Sequence, residues 1–166
     1  MIVVNIRRAS PVDADDIVAG IDTICAEGGA FYTRRFIPSL TWQRVLNQPE
    51  LTPNHLLAVF EWSGQFAGCG RLFPHPEHTL MHHVAELGMF LLPAYRGQGN
   101  GRLLLNWMLD WASTQPIEKI TLQVFATNVP ALNLYQSAGF KEEGRLYKQL
   151  KQGDTYIDFV QMAYWL

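Results

Sequence analysis

Residues 96–101 read Arg-Gly-Gln-Gly-Asn-Gly and sit between an apolar stretch and an amphipathic one. Glycine at 97, 99 and 101 removes Cβ atoms where the unpaired amides of a first helical turn point outward, with the positive end of the helix dipole behind them. Such a turn suits a phosphate. The candidate contacts are Arg96, Gly97, Gln98, Gly99, Asn100, Gly101 and Arg102: backbone amides from 98 to 102, with the Arg96 guanidinium as a further donor. Two common phosphate motifs are excluded. A dinucleotide fingerprint needs G-x-G-x-x-G and an acidic residue about 20 positions on, whereas here the third glycine comes one residue early and no such acid follows. A P-loop needs a Lys and a hydroxyl that this turn lacks. The competing reading is a glycine-rich turn that only caps a helix.

A second candidate is Glu86, a lone carboxylate in an otherwise apolar run, two residues before Gly88 and on the same strand face as Gly88 and Phe90. It is placed to act as a base, or else to pair with a nearby His or Arg. His75, His78, His82 and His83 also cluster in sequence, yet no Cys or carboxylate completes a metal-ligand spacing, so no metal is expected. Cys25 and Cys69 form no C-x-x-C pair and read as free thiols in a reducing compartment.

The elements that must position these residues follow from periodicity. Residues 2–7 alternate as a strand, and Ser10-Pro11-Val12-Asp13 supplies an N-cap, a first-turn Pro and an acidic third residue for a helix with Ile17, Ile21 and Ile24 inward, ended by Gly28-Gly29. Residues 30–40 lack a period and read as a loop over a pocket, followed by a short helix at 41–47 with Trp42, Val45 and Leu46 inward. Residues 55–62 and 66–73 form a hairpin around Ser63-Gly64-Gln65. Residues 86–92 form a strand stopped by Pro93. The helix after the glycine turn points Leu103, Leu104, Trp107, Met108 and Trp111 inward, and a strand at 120–125 completes a right-handed crossover. Asn128 caps a short helix ended by Gly139, and residues 141–151 and 155–166 close the chain as a hairpin.

The 166 residues fit a single domain, 1–166, and a formal net charge of -2 offers no basic stripe for nucleic acid. No stretch is long and apolar enough for a membrane span and no basic region precedes an apolar run at the start, so a cytoplasmic protein is expected. The aromatic end Tyr164-Trp165 suits a homodimer face.

Strand, Pro93, Arg96-x-x-Gly99-x-Gly101 and helix resemble the pyrophosphate-binding motif of the GNAT superfamily of N-acetyltransferases. Asn128-x-x-Ala131-x-x-Leu134-Tyr135-x-x-x-Gly139-Phe140 is similar to its second signature, and the two stand in the family's order. The resemblance implies an α/β fold: a mixed, mostly antiparallel sheet of about seven strands flanked by helices on both faces and split near the Glu86 strand. It implies acetyl-CoA as cofactor, with its pantetheine arm added as a short strand along Met89, Phe90 and Leu91, and a main-chain N–H near Phe90 or Leu91 facing the thioester oxygen. Asn128, Ala131, Leu134 and Tyr135 line the same arm, Tyr135 matches the donor of a proton to the departing thiolate, and Glu86 matches the base. A phenol near pKa 10 is a weaker acid than a thiol near 8.5, so the transfer must accompany C–S cleavage or use a lowered phenol pKa. The implied function is N-acetyl transfer to a primary amine of a small molecule or peptide. A non-catalytic acetyl-CoA sensor is the alternative, and the glycine spacing disfavours a nicotinamide oxidoreductase. Phe31, Tyr32, Arg34, Trp42, His75, Tyr147 and Tyr156 are the candidate acceptor walls, a mixture of aromatic and basic groups suited to an amino acid or another small anionic amine.

Overall fold

A computed structural model describes residues 2–31 and 33–166, which leaves the candidate wall residue Tyr32 outside the described residues. Among these, seven strands build one sheet: β1 (Val4–Arg8), β2 (Leu56–Trp62), β3 (Gln65–Pro74), β4 (Val84–Leu91), β5 (Lys119–Phe125), β6 (Lys141–Gln152) and β7 (Thr155–Trp165). Their order is β1-β2-β3-β4-β5-β7-β6, and every neighbouring pair is antiparallel except β4 and β5. The helices are α1 (Ala14–Glu27), α2 (Leu40–Asn47), α3 (Asn100–Ala112) and α4 (Val129–Ser137). This is the mixed, mostly antiparallel α/β fold expected from the sequence. None of these helices is long and apolar enough to cross a membrane.

Helices cover both faces, which explains why β2 reads Leu56-Leu57-Ala58-Val59-Phe60 without alternation: all five are buried. Leu57 and Val59 pack with Ile17, Ile24, Trp42, Val45 and Leu46 of α1 and α2, together with Cys69 and Phe90. Leu56, Ala58 and Phe60 face the opposite core with Leu104, Leu105 and Met108 of α3 and Tyr135 of α4. Trp42 is 5% exposed, so it belongs to this packing and is not a wall of an open pocket. The buried stripe of α3 also differs from expectation: Leu104, Leu105, Met108 and Ala112 are buried, Leu103 is exposed, and Trp107 and Trp111 lie at the edge. Two adjacent rows, 103-107-111 and 104-108-112, are both apolar, and the row of smaller side chains is the one that fits close to the sheet.

The β1–α1 corner is held by charge. Ser10-Pro11-Val12-Asp13 forms a 3-10 turn, so α1 starts at Ala14, a turn later than the sequence suggests. Ser10 N donates to Asp13 Oδ2 at 2.7 Å, while the Arg7 fork reaches both Asp13 oxygens at 2.7 and 2.9 Å. Arg7 also donates to Glu61 Oε1 at 2.6 and 2.9 Å. Arg7 and then Ser10 hold the buried Asp13 carboxyl at about 2, well below its ordinary range.

The β4–β5 ladder is short. Only Val84, Ala85 and Glu86 pair, with Lys119, Ile120 and Thr121. Beyond them β4 continues on β3 as far as Leu91↔Gly68, and β5 continues on β7 as far as Phe125↔Phe159. The two strands therefore diverge from Leu87 onward and leave a wedge-shaped slot in the middle of the sheet.

Candidate active site

The parity of the β3–β4 register decides which backbone groups line the slot. His75 N donates to Val84 O at 3.0 Å and Leu92 N to Ala67 O at 2.9 Å. In an antiparallel ladder alternate residues turn outward, so even-numbered residues of β4 bond β3 and odd-numbered ones face β5. Past the last β5 pair, Met89 and Leu91 thus present their N–H groups to the slot. The Phe90 amide points away toward β3, and its ring fills the α1–α2 core against Phe31 and Phe66, with centroids 6.0 and 6.3 Å away. Of the two amides considered for a thioester oxygen, Leu91 alone has the right direction. Its carbonyl is already taken, by Arg96 Nε at 2.8 Å.

The slot opens onto the glycine turn. Gly97 and Gly99 have φ of 73° and 83°, in the left-handed region, and Gly99 caps α3. A Cβ at either would meet nothing within 4 Å, so the cradle is open space. Arg102 N and Leu103 N turn inward to Gly99 O at 3.0 and 3.2 Å. Among the described residues the amides of 97–101 find no acceptor. This donor set, in open space at the N-terminus of a 13-residue helix, fits a pyrophosphate. Gly101 has a different origin from its neighbours: a Cβ there would lie 3.2 Å from Leu134 Cδ2, so close packing of α3 on α4 requires it. Asn100 is buried and its Nδ2 donates to Tyr95 O at 2.9 Å, bracing the turn. The Arg96 guanidinium is committed to Glu27 at the end of α1, through bonds of 2.9 and 3.2 Å, so it ties the turn to α1 instead of standing free for a phosphate.

Helix α4 closes the other side of the mouth. Asn128 Oδ1 accepts from Ala131 N at 3.3 Å, as a capping side chain, and Arg102 donates to Ser137 Oγ, linking α3 to α4. Ala131 and Leu134 are half-buried beside Tyr135, which is 7% exposed and packs on Phe140 with centroids 5.6 Å apart. Burial pushes the Tyr135 phenol up, above its ordinary value near 10. The lowered-pKa route is thereby removed: this hydroxyl stays protonated across neutral and moderately alkaline pH.

On the α1–α2 side of the sheet, Glu86 stands at the apex of the slot, exposed and ion-paired with Arg71 of β3. Arg71 lies directly opposite Gly88 and its guanidinium rests 5.4 Å from the centre of the Phe73 ring. Sequence reasoning missed Arg71. Its signal was Gly88: a Cβ there would come within 3.2 Å of Arg71 Nε and 3.6 Å of its Cγ, so the arginine stem lies across the glycine.

Phe31 and His75 are half-buried, Arg34 is exposed, and Tyr147 is thrown outward, 75% exposed, by a bulge in which residues 147–149 drop out of register with β7. Lys148 carries that bulge at φ 52°, its N–H bonded to Asp158 Oδ1 at 2.8 Å. Tyr156 lies under Lys148 and Lys151, at 5.7 and 5.5 Å. Tyr147 and Tyr156 therefore sit on the outer hairpin. The tip of that hairpin touches α1: a Cβ on Gly28, at φ 73°, would lie 2.6 Å from Gln152 Nε2. Because α1 packs on the β4 side and Leu150, Ile157 and Phe159 pack with Phe125 on the β5 side, this contact spans the slot. No group of three or more His, Cys, Asp or Glu suited to a metal occurs among the described residues.

A sheet parted between its two parallel strands, with a free-amide turn at the mouth, defines a protein built around an extended phosphorylated ligand. The chain belongs to the acetyltransferase (GNAT) family, whose model matches residues 24–140. It is 33% identical over 138 residues to N-alpha-acetyltransferase RimI of Mycobacterium tuberculosis, covering 80% of this chain and 81% of that one. It is 34% identical over 87 residues to spermidine N(1)-acetyltransferase of Vibrio cholerae, covering 52% of this chain and 50% of that protein. The match thus spans about half the length of the spermidine enzyme. The structure of yncA from Salmonella typhimurium, a putative acetyltransferase with its cofactor acetyl-CoA, superposes with a TM-score of 0.87 at 18% identity, over 98% of this chain and 94% of that one, which shows the shared fold.

Proposed function

We propose that this protein transfers an acetyl group from acetyl-CoA to the amine of a small molecule or peptide. The observation that carries the reading is the continuity of unpaired donors, from Met89 and Leu91 on the open edge of β4 to residues 97–101 at the start of α3. The relatives named above acetylate amines by name, which supports the same class of acceptor here.

Bound along that path, acetyl-CoA supplies an acetyl thioester. The turn amides hold phosphate, the Leu91 N–H next to them holds an amide-bearing arm, and Asn128 and Ala131 flank it. The Met89 N–H, two residues deeper in the slot than Leu91 and so nearer Glu86, is the donor aimed at the developing oxyanion. Glu86 takes up the proton that the acceptor nitrogen gives up as its C–N bond forms. The Tyr135 hydroxyl holds a proton for the sulfur and delivers it as the C–S bond breaks, since a phenol raised by burial cannot give it up beforehand.

Calorimetry with acetyl-CoA and a Gly99→Asn variant tests the cradle. Asparagine tolerates positive φ, so the turn survives while a side chain fills the open space. Wild type should bind on the order of micromolar and the variant at least roughly tenfold more weakly. Equal affinity in a folded variant would remove the cradle assignment. Release of free thiol with a panel of amines then separates an enzyme from an acetyl-CoA sensor.

A further inference from the structure

We infer that the acceptor is a free α-amino acid, its carboxylate held by Arg71 and its amine delivered to Glu86. This rests on the acetyl-transfer reading and adds a subsite to it. Arg71 and Glu86 are in direct contact on the slot-facing surface, one strand apart, beside the point where β4 leaves β5. The side chains are 35% and 53% exposed, so the pair is weakly held and reachable.

The pair is also unfinished. A guanidinium carries five N–H donors. Among the described residues Arg71 donates only from Nη2, to Glu86 Oε1, and Glu86 Oε2 accepts nothing. The Phe73 ring covers a face of the guanidinium and leaves its donor edge free. Gly88 keeps the arginine stem flat across β4, which points the head along the strand at Glu86. What remains is one planar cationic fork and one free carboxylate oxygen side by side.

The ligand matching that surface carries an anion and an amine a single carbon apart. A zwitterionic α-amino acid exchanges the internal ion pair for two of its own, ammonium to Glu86 and carboxylate to the Arg71 fork; the ammonium sheds one proton to water to free its lone pair, and Glu86 takes the second as the C–N bond forms. A peptide N-terminus has an amide where the carboxylate is needed, so the fork gains no counter-charge. A polyamine carries further cations toward a guanidinium that repels them.

The experiment compares kcat/KM for the twenty proteinogenic L-amino acids, their α-amides and spermidine, in wild type, Arg71→Met and Arg71→Lys. Because Arg71 is partly solvated, the expected preference for acid over amide is roughly tenfold to a hundredfold, less than in a fully buried site. Arg71→Met should bring that ratio close to one, and Arg71→Lys should keep part of it. A wild type that favours amides or spermidine overturns the inference and leaves acetyl transfer standing. So does an Arg71→Met variant that loses acid and amide equally, since the guanidinium then serves only to place Glu86. Should Arg71→Met fail to fold, the wild-type ratio and Arg71→Lys decide. Binding of acetyl-CoA with no amine of the panel acetylated overturns the inference, and acetyl transfer itself then stands or falls on peptides bearing a free N-terminus or lysine.

Discussion

Replacing Asp13 by asparagine removes the charge that Arg7 holds at the corner between β1 and α1. Asp13 is 6% exposed, and its carboxyl sits at about 2 in the folded chain. Against an unfolded value of ~3.9, that depression is worth about 2 to 3 kcal/mol of stability. The sign follows from the direction: a carboxyl drawn down on folding stabilises the native state above about pH 4, and the contribution fades as pH falls through about 2. Arg7 keeps Glu61 after the substitution, so the variant retains one ion pair and the loss stays near this figure. Urea unfolding followed by tryptophan fluorescence, from about pH 7 to about pH 2.5, measures it. Asp13→Asn should be about 2 to 3 kcal/mol less stable at neutral pH, and the two curves should converge toward the acid end. A constant offset across the range would refute the reasoning, because it would trace the loss to packing or to the Ser10 contact instead of to charge.

Glu86→Gln should lower turnover by roughly a hundredfold with little change in acetyl-CoA affinity, measured by thiol release and calorimetry. Full activity would leave Glu86 as nothing more than the partner of Arg71. Tyr135→Phe keeps the ring against Phe140 and should cost roughly 10² to 10⁴ in turnover while donor affinity stays within a few-fold. The deficit should shrink with an acetyl thioester whose thiol has a lower pKa, and an equal, small loss with both donors would reassign Tyr135 to packing.

The parts legible in the sequence are those written in local chemistry. Glycine at positive φ before an amphipathic run marks the turn, and Asn128 ahead of Val129 and Pro130 marks the start of α4. The order of strands and helices followed from periodicity. What could not be read locally depends on register. Whether Phe90 or Leu91 offers its amide to the slot is a matter of parity in β3–β4 pairing, and a shift of one residue reverses it. The choice between two apolar rows on α3 is made by the sheet beneath them. Arg71 was invisible because an arginine in a strand is unremarkable until its opposite number is known to be glycine. Arg96, placed at the mouth by its motif, finds its partner Glu27 far away in sequence, at the end of α1, where no local pattern announces it.

The open edge of β4 has a kinetic consequence. Met89 and Leu91 offer main-chain groups, and the turn at 97–101 offers main-chain groups as well, so under the proposed function most of the path would recognise a carrier by its length, amides and phosphates. Those parts are identical before and after the acetyl group has gone. On the proposed path only the inner end of the slot, near Glu86, Met89 and Tyr135, would meet the atoms that change. The enzyme is therefore expected to hold its spent carrier almost as firmly as its fresh one, and to slow as the ratio of free to acetylated coenzyme A rises around it. A protein that lends its sheet to a ligand in this way reports, through its rate, the acetyl charge of the surrounding pool.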